Sequence, residues 1–251
     1  MGRGAFSTVR RTLHRLDGCV YAVKITRRKA QSAGEARELL QEAQALAAAG
    51  GHPHIVRYHA AWIEADQLHL QLEYCPGGSL GARLRAGYTF SEGELLGMLQ
   101  QVGGALAHLH GRGVAHLDVK PDNILLAADG SLRLGDFGLA VTIDGRLGMR
   151  EGDARYLPTE ALNADARALD RVDMFSLGIS AYELARGREL PSSGAPYSEL
   201  RAGKAALLPG FTVSFQNLVK NLLHPDPAQR LTAPALLRAL QSRSPAGRQP
   251  A

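Results

Sequence analysis

The chain has 251 residues, 45% apolar and 21% charged, an ordinary balance for a globular protein with ample material for a core, arranged as one large domain or two small ones. No apolar run approaches the ~20 residues that span a bilayer, and no signal peptide is read at the start, which argues against a membrane role. Two cysteines, Cys19 and Cys75, make no disulfide framework and suit a reducing compartment; a net charge of +5 without a Lys/Arg block interleaved with aromatics reads as solvated surface, not a nucleic-acid interface.

In chain order, Gly2-Arg3-Gly4-Ala5-Phe6-Ser7-Thr8-Val9 is a glycine loop whose backbone N–H groups can approach phosphates. Leu16-Asp17-Gly18 is a turn, and Cys19–Ile25 is strand-like, with a lone Lys24 that needs a partner or a ligand. Glu35 to Ala49 is rich in helix formers, and its Glu38 and Glu42 share one face, so either can supply that partner. Ile55–Tyr58 and Leu68–Leu72 read as strands. Glu73-Tyr74-Cys75-Pro76-Gly77-Gly78-Ser79-Leu80 ends the β-rich part with turn residues, where a ligand cleft is expected.

The remainder is mostly helical. Leu95, Leu99, Val102, Leu106 and Leu109 form one buried helix face. Gly103 and Gly104 weaken that helix by about 1 kcal/mol each relative to Ala, a loss that close packing can offset. Gly111 and Gly113 stop it. Asp173–Ile179 begins another buried helix that continues through Tyr182 and Leu184. The polar tail from Ser242 to Ala251 is expected to be disordered.

The stretch His116-Leu117-Asp118-Val119-Lys120-Pro121-Asp122-Asn123 and its echo Asp136-Phe137-Gly138 carry the chemistry. Ile124–Leu126 and Leu132–Leu134 read as two strands joined by a turn at Asp129-Gly130, a hairpin that returns Asp136 to the side of Asn123. Carboxylates and an amide oxygen at one point suit a hard cation such as Mg²⁺. Asp118 is left as a base for an incoming hydroxyl, and Lys120 can neutralise a phosphate oxygen.

These motifs, in this order, resemble the catalytic loop and metal-binding motif of the protein kinases. Within that superfamily the chain is similar to the Wee kinase family, which restrains mitosis. The similarity is carried by Arg15–Lys24, Val56-Arg57-Tyr58 with Ala61-Trp62, Glu73–Leu80, Glu151-Gly152-Asp153-Ala154-Arg155-Tyr156, and His224-Pro225-Asp226-Pro227 leading to Arg230. The resemblance implies an α+β, bilobal kinase fold: a protein kinase domain over 1–241, with a small β-rich lobe at 1–72, a hinge at 73–80, a mainly helical lobe at 81–241, and the tail at 242–251. The strand expected ahead of the glycine loop is missing from this sequence, as is the family's N-terminal regulatory region.

The resemblance also implies roles. ATP would bind at Gly2, Gly4, Val9, Ala22, Lys24, Glu42, Leu72, Glu73 and Cys75, with Lys24 on the α/β-phosphates, Glu42 as its partner, Leu72 at the back of the adenine pocket and the Glu73–Cys75 backbone on the adenine edge. Asp118 and Lys120 would be catalytic, and Asn123 and Asp136 would hold Mg²⁺. Glu160 would pair with Arg230 structurally. The implied substrate is a tyrosine in the ATP-binding loop of a cyclin-dependent kinase with its cyclin; the enzyme would act as a monomer in the nucleus, or otherwise in the cytoplasm.

The chain departs from common patterns in three places. Lys120 belongs to the Ser/Thr type of catalytic loop, so the motif alone favours a Ser/Thr kinase; a pseudokinase scaffold is the non-enzyme alternative, although Lys24, Asp118 and Asp136 are all kept. Pro158-Thr159-Glu160 replaces the usual Ala-Pro-Glu. Leu117 occupies the position where many kinases place a phosphate-receiving Arg, and Ile143 to Arg155 contains no Ser, Thr or Tyr. Activity without phosphorylation of this segment is therefore expected, with Glu151 and Asp153 among Arg146, Arg150 and Arg155 as candidate ordering charges.

Overall fold

The Val/Ile/Leu/Tyr runs between turn signals build a four-stranded antiparallel sheet at the start of the chain. The computed structural model describes residues 7–27, 33–143, 152–163 and 167–242, with backbone alone over 33–39. The strands are β1 (Ser7–Leu13), β2 (Val20–Thr26), β3 (Tyr58–Glu64) and β4 (Gln67–Glu73), in the order β1-β2-β4-β3. Helix α1 (Ala33–Ala49) connects β2 to β3 and lies against β3 and β4. The Asp17 turn is built as read: the Asp17 carboxylate accepts the Cys19 N–H at 2.7 Å and the Tyr21 hydroxyl at 2.9 Å. Ala65 and Asp66 close the β3–β4 hairpin with φ of 49° and 62°, the left-handed pair that a two-residue turn demands.

One strand lies elsewhere than the sequence reading put it. Ile55–Tyr58 is not a strand of the sheet, and β3 begins only at Tyr58. Ile55 and Val56 are buried and reach towards the helical part instead: Ile55 bridges Leu134, and Val56 N–H donates to the Leu134 carbonyl at 2.9 Å. Their apolar character reflects this burial. The true strand, Tyr58–Glu64, has one of its two faces largely exposed, so its signal is weak.

The helical part contains α2 (Leu80–Arg85), α3 (Glu92–Gly111), α4 (Thr159–Leu162), α5 (Leu169–Arg186), α6 (Ala195–Arg201), α7 (Val213–Leu222) and α8 (Ala233–Gln241). Short strands β5 (Val114–Ala115) and β8 (Val141–Thr142) pair, as do β6 (Ile124–Leu126) and β7 (Leu132–Leu134). The starts are fixed chemically. Ser79 caps α2, Ser91 and Glu94 form a reciprocal capping box on α3, and the Thr212 and Thr232 hydroxyls cap α7 and α8. No helix among the described residues is long and apolar enough to cross a membrane.

Helix α5 is the axis of this part: every residue from Val172 to Leu184 is buried. Leu95, Leu99, Val102, Leu106 and Leu109 of α3 are all fully buried, facing α5 and α8. Close packing explains one of the two α3 glycines. A Cβ on Gly103 would lie 3.0 Å from Leu236 of α8, whereas one on Gly104 would meet only His52 at 3.9 Å. Glu160 and Arg230 pair at 2.7 Å, with the guanidinium buried. The 242–251 tail lies outside the described residues beyond Ser242.

Gly178 on α5 gives a direct test of this packing. A Cβ there would sit 2.7 Å from the Leu222 Cβ of α7, with the Leu222 backbone 3.3 Å away. Gly178→Ala should gain at most ~1 kcal/mol of helix propensity and lose about 1–3 kcal/mol to overpacking. The expected outcome is a lower thermal midpoint; a raised midpoint would show that α5 and α7 have room to separate.

Candidate active site

Lys24 projects from β2, and strand register fixes what surrounds it. Val9 pairs with Lys24 and Ala22 pairs with Leu72, and residues two apart share a face. Val9, Ala22, Lys24 and Leu72 therefore lie on one side of the sheet. Glu42 approaches that side from α1. Lys24 Nζ donates to Glu42 Oε1 at 2.7 Å and to Asp136 Oδ1 at 2.7 Å. Of the two glutamates left open by the sequence, Glu42 is the partner; the Glu38 side chain lies outside the described residues, as do Gly2 and Gly4.

The electrostatics follow from burial. Burial pulls the Lys24 pKa down, but the Glu42 and Asp136 carboxylates outweigh it and the net shift is upward. Burial lifts Glu42 above the usual carboxylate range against the pull of Lys24. Asp136 ends below that range because Lys24 more than offsets its desolvation. The Asp136 side chain keeps 44% of its surface open, whereas Lys24 and Glu42 keep 10% each. The ion pair is shut in and Asp136 is its open end.

A second cluster sits on the loop between β5 and β6. Lys120 Nζ donates to Asp118 Oδ1 at 2.8 Å. Asn123 Nδ2 donates to the Asp118 carbonyl at 2.8 Å and to Asp118 Oδ2 at 2.7 Å. The β6–β7 hairpin closes as expected, with Gly130 at φ +80° in its turn and Gly135 N–H on the Asn123 carbonyl at 2.9 Å. That bond ties Asp136 to the neighbourhood of Asn123. Burial raises the Asp118 pKa, and the Lys120 charge opposes the rise.

The donor set fits a hard cation. Asn123 spends its N–H₂ on Asp118, which leaves its amide oxygen as the group to offer beside the Asp136 carboxylate. No group of three or more His, Cys, Asp or Glu side chains among the described residues is arranged to hold a metal. Two protein oxygens plus phosphate and water is the coordination Mg²⁺ usually takes at nucleotide sites.

Glu73 turns its carboxylate towards Arg133, 3.2 Å away, and towards the Arg57 N–H. Burial pushes the Cys75 thiol up to about 12, so it stays protonated and inert. A cavity of about 550 Å³ lies between the end of α1 and Glu73; it includes none of Lys24, Asp118 or Asp136.

Sequence reasoning missed the residue that holds the loop in place. Leu117 and Asp136 both have φ of +61°, a costly conformation for non-glycine residues. Asp173, fully buried at the start of α5, accepts the His116 N–H at 2.8 Å, the Leu117 N–H at 2.7 Å and His110 Nε2 at 2.9 Å. Asp118 N–H donates to His116 Nδ1 at 3.2 Å, so Nε2 carries the ring proton and donates to the Gly135 carbonyl at 3.1 Å. Burial lowers the His116 pKa and favours this neutral ring, which packs edge-on to Phe137 at 4.8 Å. A carboxylate interrupting an apolar helical run was the available signal.

The Lys24 pair makes a pH-dependent prediction. In the native protein the Lys24 pKa is raised, so its contribution is present at neutral pH and is lost only as pH climbs through that raised value. In Lys24→Met, Glu42 stays buried without its cation and its folded pKa rises further above the unfolded one. The penalty is absent below about pH 4 and grows as pH rises, reaching about 3–5 kcal/mol. Melting curves at pH 5 and pH 8 should show a wider gap between variant and native protein at pH 8. An equal gap would mean that Lys24 does not offset a buried carboxylate.

Comparison with known proteins agrees with this geometry. Residues 1–240 match the protein kinase domain model. The chain is 46% identical to a Wee1-like protein kinase of Oryza sativa subsp. japonica, over 95% of this chain and 45% of the relative. It is 44% identical to a Wee1-like protein kinase of Arabidopsis thaliana, over 94% and 47%, and 35% identical to Wee1-like protein kinase 2 of Homo sapiens, over 95% and 47%. The chain thus spans about half the length of the curated relatives it matches. It belongs to the protein kinase family, as a kinase domain of the Wee type.

Proposed function

We propose that this domain transfers the γ-phosphate of ATP to a tyrosine in the ATP-binding loop of a cyclin-dependent kinase bound to its cyclin, switching it off and restraining entry into mitosis. The observation that carries the reading is the placement of Lys24 between Glu42 and Asp136, with Asp118, Lys120 and Asn123 bonded to one another on the adjacent loop. Lys24, oriented by Glu42, binds the α/β-phosphates. Gly2, Gly4, Val9, Ala22, Leu72 and the Glu73–Cys75 backbone enclose the nucleotide. Asn123 and Asp136 hold Mg²⁺, which when bound neutralises phosphate charge. Asp118 takes the proton of the incoming hydroxyl, and Lys120 balances the negative charge that develops on the transferred group. The protein acts as a monomer in the nucleus.

Lys120, two residues after Asp118, favours a second reading as a Ser/Thr kinase, because loops of that type carry it. Incubation with Mg²⁺, ATP and a catalytically inactive cyclin-dependent kinase–cyclin complex, followed by phosphoamino-acid analysis, separates the two. Phosphotyrosine is expected; phosphoserine with no phosphotyrosine would establish the second reading. Asp136→Asn should stay folded and lose transfer, since it removes a charge worth several kcal/mol at the transition state. Near-normal turnover by that variant would overturn the metal assignment.

A pH profile tests Asp118 as base. It acts deprotonated, so kcat/KM should fall as pH drops through its folded pKa. Lys120 holds that pKa down against burial. Lys120→Ala should therefore move the acid limb to higher pH while lowering the plateau. A lowered plateau with an unmoved limb would assign the limb to another group.

A further inference from the structure

The segment leading from the metal motif to α4 passes beside the catalytic loop. A Cβ on Gly152 would lie 3.2 Å from the Leu117 carbonyl, and Asp153 feels the Lys120 charge. Of the charges named from sequence, Asp153 and Arg155 are the two that lie within the described residues. Arg146, Arg150 and Glu151 lie outside the described residues. Asp153 pairs with Arg155 at 2.7 Å, a bond within the segment that ties it to nothing else.

Anchors come from two helices. From α5, Glu183 accepts the Tyr156 hydroxyl at 2.6 Å and the Ser176 hydroxyl donates to the Tyr156 carbonyl at 2.9 Å. From α6, Arg201 reaches across: Nη2 donates to the Ala154 carbonyl and, at 3.2 Å, to the Arg155 carbonyl. Tyr197 donates its hydroxyl to the same Ala154 carbonyl at 3.3 Å, and its ring lies 3.4 Å from the Arg201 guanidinium carbon.

Arg201 is unusual in its surroundings. It is 93% buried by area, being 7% exposed, and it has no carboxylate partner among the described residues. Its Nε is the one buried side-chain polar atom among the described residues that lacks a hydrogen-bond partner. Burial pulls its pKa below the ordinary value. A guanidinium without an anion is costly to bury, and among the described residues the groups it repays that cost on are an aromatic face and backbone carbonyls. We propose that Arg201, stacked on Tyr197, is the positioning residue that fixes the 154–156 wall of the protein-substrate site, in the role a phosphorylated side chain serves in kinases that order this segment by modification. The proposal rests on the kinase reading above and adds that the wall is set by α6, with no phosphate in the segment.

The test compares two activities of one protein. Wild-type protein, phosphatase-treated, should retain transfer to the cyclin-dependent kinase complex; loss of transfer on that treatment would overturn the proposal. If untreated wild type transfers nothing, the kinase reading itself has failed, which is a separate outcome. Arg201→Ala should raise the KM for the protein substrate, or lower its kcat/KM, by about tenfold or more, the loss of charge-assisted bonds. KM for ATP and ATP hydrolysis without protein substrate should stay within about twofold, and Arg201→Lys should restore part of the loss. Unchanged protein-substrate kinetics would refute the assignment. If Arg201→Ala fails to fold, Arg201→Lys and Tyr197→Phe decide: selective loss of protein transfer supports the proposal, and equal loss of transfer and ATP hydrolysis overturns it.

Discussion

One buried carboxylate governs the geometry of the catalytic loop. Asp173 has no exposed surface, and its two oxygens are filled by the His116 and Leu117 amides and the His110 ring. Each such bond to a charged acceptor is worth about 1.5–3 kcal/mol, enough to hold Leu117 in a left-handed conformation that costs about 1–3 kcal/mol. That conformation turns the chain so that Asp118 and Lys120 leave the core together while Leu117 stays buried. The same clamp extends through His116 to the Gly135 carbonyl and Phe137, and so sets the residues on either side of Asp136.

Lys24 joins this framework to the sheet. It bonds both a residue of α1 and a residue that follows β7. The joint is polarised: Lys24 and Glu42 are largely closed from solvent, while the Asp136 side chain stays open. A closed pair cannot be satisfied by water, so displacement of α1 would leave both buried groups without a partner. Orientation of the lysine and position of the helix are thus one equilibrium.

Much of this was legible in the sequence because it was encoded locally. The hairpin over 124–134 needed only two short apolar runs and Asp129-Gly130, and the buried face of α3 needed only its four-three spacing. The Lys24 partner was narrowed to two residues by helix periodicity, and the resemblance to kinases chose Glu42 between them. The Ile55–Tyr58 strand was misplaced because burial under β7 imitates a strand pattern. Asp173 showed only as a carboxylate interrupting an apolar helix, and Glu183 and Arg201 were not legible as anchors: their partners are backbone groups or distant side chains, which leave no mark on spacing. The glycine loop over 2–4 lies outside the described residues, so its reading rests on the sequence alone.

Two fixed charges bond the segment from 152 to 163. An arginine fork lies at each end. Arg201 holds the Ala154 and Arg155 carbonyls, and Arg230 holds Glu160 together with the Arg171 and His224 carbonyls. Among the described residues, only Arg230 has an acid to balance it. A planar fork can serve several carbonyls at once from a buried position, which the single point charge of a lysine cannot do. The residue just before Asp118, where many kinases place a phosphate-receiving Arg, is Leu117, whose side chain packs with Ala161, Leu169 and Val172. The position that many kinases give to a phosphate receptor is here part of the apolar core, and the ordering charge is moved to α6, where it is always present.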